Sequence, residues 1–283
     1  MIKGLTRAGL GGQIGTLENF VHLAAKYGFG AVDVGGGELR EWADRIGLDA
    51  ARASLQEQQV AIGAVGLPVQ WREGEDKFRE GLAQLVQDAE IAARFGVTAC
   101  TTYVLPSTDE KAAHFMAVAT RRMRLCAEIL GAYGIRFGLE FVGPHHLRTH
   151  WANPFIWTIE ETLDWIDAIG EPNIGLLFDA YHWYTNGAGE ADILKLRPDQ
   201  LVHVHINDAK PVPVAEVLDN DRLYPGEGVI DLGTFLRALN AIGYRGVVAQ
   251  EILTPQPPTD ASEALLARSA DGFRKAYAAA GLI

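Results

Sequence analysis

Four apolar runs in the second half of the chain each end on groups that can bind a cation or move a proton. "RFGLEFVG" delivers Glu140, "IGLLFDAYHW" delivers Asp179 and His182, "LVHVHIND" delivers His203 and His205, and "GVVAQEIL" delivers Glu251. A carboxylate inside an apolar strand is costly unless it is paired, hydrogen-bonded or bound to metal. Three carboxylates and one imidazole form a hard, oxygen-dominated set that suits Mn2+, Mg2+, Co2+ or Zn2+. The competing explanation for each is pairing with an arginine such as Arg94, Arg136 or Arg148, or a place at a solvated rim.

Alternation puts His203 and His205 on the same face of their strand, so position along it must separate them. His205 lies nearer the C-terminal end, level with Asp179 and Glu251, and is expected to be the ligand. His203 lies deeper and is expected to be a hydrogen-bonded core histidine. His182 falls three residues after Asp179, in the turn beyond the strand, where it can reach over to a bound molecule or lie at the surface.

The elements that must position these groups follow from periodicity. Short apolar runs alternate with longer segments of helical period, the pattern of a parallel sheet covered on both faces. Strands are predicted to start near Ile2, Ala31, Val60, Val97, Arg136, Ile174, Leu201 and Val247. Between them, Phe78, Leu82, Leu85, Val86 and Ala89 form one helix face, Thr158 and Glu161 form a capping box, and Asp231 can cap the stripe of Leu232, Phe235, Leu239 and Ile242. No Pro/Gly/Ser linker or shift in composition divides the 283 residues. The chain therefore reads as α/β, a single (β/α)8 TIM barrel over 1–283 with its reactive groups at the C-terminal mouth. The glycine-rich start, "KGLTRAGLGG", is the weakest strand and leaves an open seven-stranded sheet as the alternative.

Two loops stand out. "GPHHLRTHWANPFIW", residues 143–157, is long and aromatic, and is expected to cover the mouth, meet a partner subunit or pack on its own barrel. "VGGGELR" could receive a phosphate at a helix N-terminus, but reads more simply as a strand-helix turn.

The net charge of -11 disfavours nucleic acid and anionic membrane surfaces and favours a small-molecule partner. Cys100 and Cys126 lack metal-type spacing and are expected to be buried reduced thiols. With no signal-peptide core and no long apolar run, a cytoplasmic protein is expected. A homo-oligomer, dimer or tetramer, is compatible with the sequence.

"LLFDAYHW", "VHVHINDA", "RLYPGEGVIDL" and "IGYRGVVAQEI" together resemble the xylose isomerase-like barrel superfamily, in its sugar isomerase/epimerase branch of ketose 3-epimerases, hydroxypyruvate isomerase and inosose dehydratase. The resemblance implies that Glu140, Asp179, His205 and Glu251 bind one divalent metal ion, most often manganese. It implies that Glu140 and Glu251 are the catalytic acid/base pair, and that His182 and Arg222 hold substrate oxygens. The spacing from His205 to Arg222 is stretched by "AKPVPVAEVLDN". The expected chemistry is proton abstraction beside the carbonyl of a ketose or keto-sugar through an enediolate. A lyase of the same fold, of the inosose or dehydroshikimate dehydratase type, is the alternative. An apurinic endonuclease of this fold needs several zinc ions and histidines on earlier strands, which "AVGLPVQW" and "TTYVLPST" do not provide. That reading is disfavoured, as is a non-catalytic barrel.

Overall fold

The apolar runs form parallel strands that close on themselves. In the computed structural model, which describes residues 1–282, β1 is Ile2–Leu5, β2 Ala31–Val34, β3 Ala61–Gly66, β4 Ala99–Val104, β5 Ser107–Thr108, β6 Arg136–Phe141, β7 Asn153–Pro154, β8 Ile174–Asp179, β9 Leu201–Ile206 and β10 Val247–Gln250. Eight of these make a barrel in the order β1-β10-β9-β8-β6-β4-β3-β2, while β5 and β7 form a separate antiparallel ribbon. The runs placed at Val60 and Val97 begin as strands at Ala61 and Ala99.

The weak first strand is the closure. β1 pairs with β10 from Ile2 against Val247 to Leu5 against Gln250, and with β2 through Gly4 and Leu5. Its glycine is required: a Cβ at Gly4 would lie 2.7 Å from Val247 Cγ1. The residue that lowers strand propensity is thus the one that lets the barrel interior close.

Helices cover the outside as their periodicity predicts. Thr158 Oγ1 accepts from Glu161 N at 3.2 Å while Glu161 Oε2 accepts from Thr158 N at 3.3 Å, which starts the helix Ile159–Ile169. Asp231 Oδ1 accepts from Thr234 N at 2.9 Å and caps the helix Leu232–Ala241. In the helix Glu75–Arg94, Phe78, Leu85 and Ala89 are buried, but Val86 is 40% exposed. Asp88 takes a buried place in that helix and accepts from Arg40 Nη2 at 2.8 Å. Phe178 of β8 stacks on Phe235 of its covering helix, ring centroids 5.5 Å apart.

The 143–157 loop packs on its own barrel. Phe155 and Ile156 are buried, and the Phe155 ring lies 4.8 Å from Phe115 and 5.5 Å from Trp165. In the turn after β2, Glu38 Oε2 accepts from Gly35 N at 2.9 Å, so the helix Gly36–Ile46 already has a carboxylate where a phosphate would sit. Cys100 and Cys126 are buried and unpaired, and burial pushes the Cys126 thiol up to about 12. Among the described residues no helix is long and apolar enough to cross a membrane.

Candidate active site

β6, β8, β9 and the residue after β10 bring Glu140, Asp179, His205 and Glu251 to one end of the barrel. Asp179 and His205 sit opposite each other in the β8–β9 register. One ligand atom from each of the four residues lies within 4.8 Å of the others. His205 Nδ1 is 3.5 Å from Glu140 Oε1, 3.6 Å from Glu251 Oε2 and 3.9 Å from Asp179 Oδ2. Glu140 Oε1 and His205 Nδ1 are buried and have no hydrogen-bond partner among the described residues. Two unpartnered buried atoms facing each other within a ring of carboxylate oxygens fit a divalent cation.

Asp179 is held from three sides. Its Oδ1 accepts from Tyr181 N at 2.6 Å, and Asn207 Nδ2 lies 3.0 and 3.1 Å from its two oxygens. Asn207 follows His205 by two residues and so turns to the same side; its position in "HIND" was the signal available in the sequence.

Arg222 is the arginine that the strand-end carboxylates find. Nη1 donates to Asp179 Oδ2 at 3.0 Å and Glu251 Oε2 at 2.9 Å, while Nη2 and Nε donate to Oδ1 and the backbone oxygen of Asp219, both at 2.9 Å. Arg136 and Arg148 instead donate to backbone oxygens, among them Leu201 O and Gly143 O. The insertion that stretches the spacing contributes Asp219, so it holds the guanidinium rather than displacing it. Asp208 fixes the return of the chain: its carboxylate accepts from the amides of Ala209, Gly226, Gly228 and Ile230 at 2.9–3.0 Å. A Cβ at Gly228 would overlap Ala209 O, which is why that turn needs glycine.

His182 is 1% exposed, which rules out the surface turn histidine considered from the sequence. Its Nδ1 accepts from Gly143 N at 3.2 Å. A neutral ring that accepts at Nδ1 carries its proton on Nε2, and that nitrogen lies 3.9 Å from Glu140 Oε1. His182 can therefore donate toward a molecule beside Glu140.

His203 has a partner that the sequence reading did not anticipate. Asp33, from "AVDVGG" in β2, places Oδ2 2.7 Å from His203 Nε2 and 3.4 Å from His205 Nε2. A lone Asp in a short apolar run was the available signal, by the same argument that singled out Glu140 and Asp179.

The environment divides the acidic groups. Burial raises Glu140 above the usual carboxylate range, with His205 opposing. Burial also opposes ionisation of Glu251 and Asp179, yet His205 and Arg222 hold Glu251 below its ordinary value, and Arg222 chiefly holds Asp179 low. His205 stands well above the ordinary imidazole value because Glu251, Asp33 and Glu140 outweigh its burial. A metal ion must displace protons from His205 and Glu140, so affinity for Zn2+ or Mn2+ is expected to rise from pH 5.5 to 8 with proton release. Calorimetry in buffers of different ionisation enthalpy reads both, and a flat pH profile would contradict this electrostatic account.

A closed parallel barrel with these carboxylates and an imidazole at the C-terminal ends of its strands defines a class of (β/α)8 proteins built around a polar mouth. The family model described as xylose isomerase-like TIM barrel matches residues 21–276, and the chain belongs to that family. It is 32% identical over 130 residues to an inosose isomerase of Bacillus velezensis, a stretch covering 46% of this chain and 44% of that enzyme. The match thus spans less than half of that relative's length. The fold superposes with a TM-score of 0.90 and 36% identity on a xylose isomerase domain protein from Alicyclobacillus acidocaldarius, covering 99% of both chains. It superposes with a TM-score of 0.79 and 20% identity on the IOLI protein, whose structure holds a zinc atom, covering 99% of this chain and 98% of that one.

Proposed function

We propose that the chain is a divalent-metal-dependent sugar isomerase or epimerase that acts on a ketose or keto-sugar by abstracting a proton beside the carbonyl. The observation that carries this reading is the pair of glutamates, Glu140 and Glu251, 3.5 and 3.6 Å from His205 Nδ1 in a buried acidic ring. Glu140, Asp179, His205 and Glu251 would hold the ion, with Mn2+ and Zn2+ the first to test. When bound, the ion supplies the positive charge that polarises a carbonyl and steadies an enediolate.

The remaining work belongs to the side chains. One glutamate takes the proton from the carbon next to the carbonyl, and the C–H electron pair passes into the enediolate. For epimerisation the other glutamate returns a proton to the opposite face. For isomerisation the proton goes back to the neighbouring carbon. His182, with its proton on Nε2, donates to a substrate oxygen near Glu140. Arg222 has five N–H groups, of which one on Nε, two on Nη1 and one on Nη2 are engaged among the described residues, so at most one could reach a substrate oxygen. Its main task is to neutralise Asp179 and Glu251. The likeness to an inosose isomerase makes keto-inositols the first substrates to try.

Metal-loaded protein in D2O, incubated with keto-inositols, free ketoses and ketose phosphates, is expected to place deuterium next to the carbonyl of one class, read by NMR. A product that has lost water would instead identify a dehydratase. One bound ion with no exchange across the panel would overturn the reading.

A further inference from the structure

The carboxylates of the metal set surround only one nitrogen of His205. Nδ1 faces Glu140, Asp179 and Glu251, while Nε2 points the other way, 3.4 Å from Asp33 Oδ2. The same oxygen lies 2.7 Å from His203 Nε2. The two imidazoles are 5.4 Å apart and nearly perpendicular, at 84°, so their Nε2 atoms converge on one carboxylate oxygen.

The barrel interior makes room for this contact. A Cβ at Gly63 would stand 2.5 Å from Asp33 Oδ1 and 3.4 Å from His203 Cε1. Asp33 pairs with no lysine or arginine within 4 Å among the described residues; its ionic contacts are the two histidines. A largely buried carboxylate without a cationic side chain beside it must be repaid by N–H donors: His203 Nε2 is hydrogen-bonded to Oδ2 and His205 Nε2 stands 3.4 Å from the same oxygen, while Oδ1 has no partner among the described residues.

We propose that Asp33 is a positioning residue of the metal centre: it accepts the Nε2 proton of His205 and so leaves the Nδ1 lone pair directed at the carboxylate set. His203 donates to the same oxygen and fixes the carboxylate's orientation. The inference rests on the reading of Glu140, Asp179, His205 and Glu251 as the metal set. Asp33, His203 and His205 also lie close enough together to hold an ion themselves. A neutral imidazole has one lone pair, however, so His205 cannot serve an ion at Nε2 and keep Nδ1 as a ligand. The side with three carboxylates offers more donors, which makes Asp33 a partner of the ligand rather than a ligand.

The test compares wild type, Asp33→Asn and Asp33→Ala loaded with Zn2+. Asparagine keeps the acceptor oxygen without the charge, and alanine removes both. Zinc affinity is expected to fall in the order wild type, Asn, Ala, with Ala roughly 10- to 100-fold weaker, the range for loss of such a partner. Nitrogen-15 NMR of labelled histidines is expected to show His205 metal-bound at Nδ1 and protonated at Nε2 in wild type and Asp33→Asn, and mixed in Asp33→Ala. If Asp33→Ala does not fold, the isosteric Asp33→Asn carries the test through a several-fold loss of affinity. Unchanged affinity and an unchanged His205 signal would overturn the proposal. So would two ions per wild-type chain with one lost on substituting Asp33, which would make Asp33 a ligand. Wild type binding no ion, or binding it away from His205 Nδ1, would instead sink the reading of the metal set.

Discussion

Glu140→Gln and Glu251→Gln are each expected to lower the rate of deuterium exchange by roughly 10²–10⁴-fold, the range attributed to a positioned acid or base. Glutamine keeps the volume of the side chain and removes its ability to take a proton. The structural cost differs between the two. Glu140 Oε1 has no hydrogen-bond partner among the described residues, so its exchange for an amide breaks no hydrogen bond with them at that atom. Glu251 Oε2 accepts from Arg222, but Arg222 keeps its contacts with Asp179 and Asp219 when that one weakens. Circular dichroism and thermal melting of the metal-free proteins should therefore show both variants folded. Near-native exchange in either variant would remove that residue from the acid/base role.

Arg222→Ala is expected to destabilise the metal-free protein by about 3–5 kcal/mol, the cost of breaking a buried ion pair and leaving the partner charges uncompensated. The guanidinium is almost completely enclosed and sits between Asp179 and Glu251, 3.0 and 2.9 Å from their oxygens. It also lies 4.9 Å from the Tyr181 ring, so alanine removes packing as well. Added Mn2+ should recover more stability in the variant than in wild type, because the ion supplies positive charge to the same two carboxylates. Urea denaturation with EDTA and with Mn2+ measures the difference. A loss equal in both conditions would show that Arg222 acts through packing alone, and no loss would refute the electrostatic argument.

The ring of Glu140, Asp179, His205 and Glu251 was legible because the fold makes it local. Each residue ends an apolar run, and a barrel brings the ends of its parallel strands together, so strand placement was enough to gather them. The choice of His205 over His203 for the carboxylate side followed from depth along one strand. What the sequence hid depends on angles and on distant partners. Asp33 lies in a four-residue strand that merges into "GGG", and the glycines read as a turn. Arg222 was reached only through family resemblance, and nothing local shows that Asp219 in the insertion would hold it. Val86 satisfied the helical period but faces outward, while Asp88 is buried in the same helix with Arg40 as partner. The 143–157 loop announced its aromatics but not its seat, which depends on Phe115 and Trp165 from two other segments.

The closing of the β9–β10 excursion has an evolutionary side. Asp208 and Leu223 exchange backbone hydrogen bonds of 2.9 and 2.8 Å, so the chain leaves and returns through a tied neck. Arg222 and Asp219 lie next to that neck, whereas residues 210–216 are mostly exposed and the buried Val217 marks their inner limit. Lengthening a loop whose ends are already joined costs only about 0.6 kcal/mol per doubling. Insertions and deletions in this outer stretch can therefore accumulate without moving the guanidinium. A lineage could remodel what passes over the mouth by drift in one surface segment while the residues that would do the chemistry keep their places.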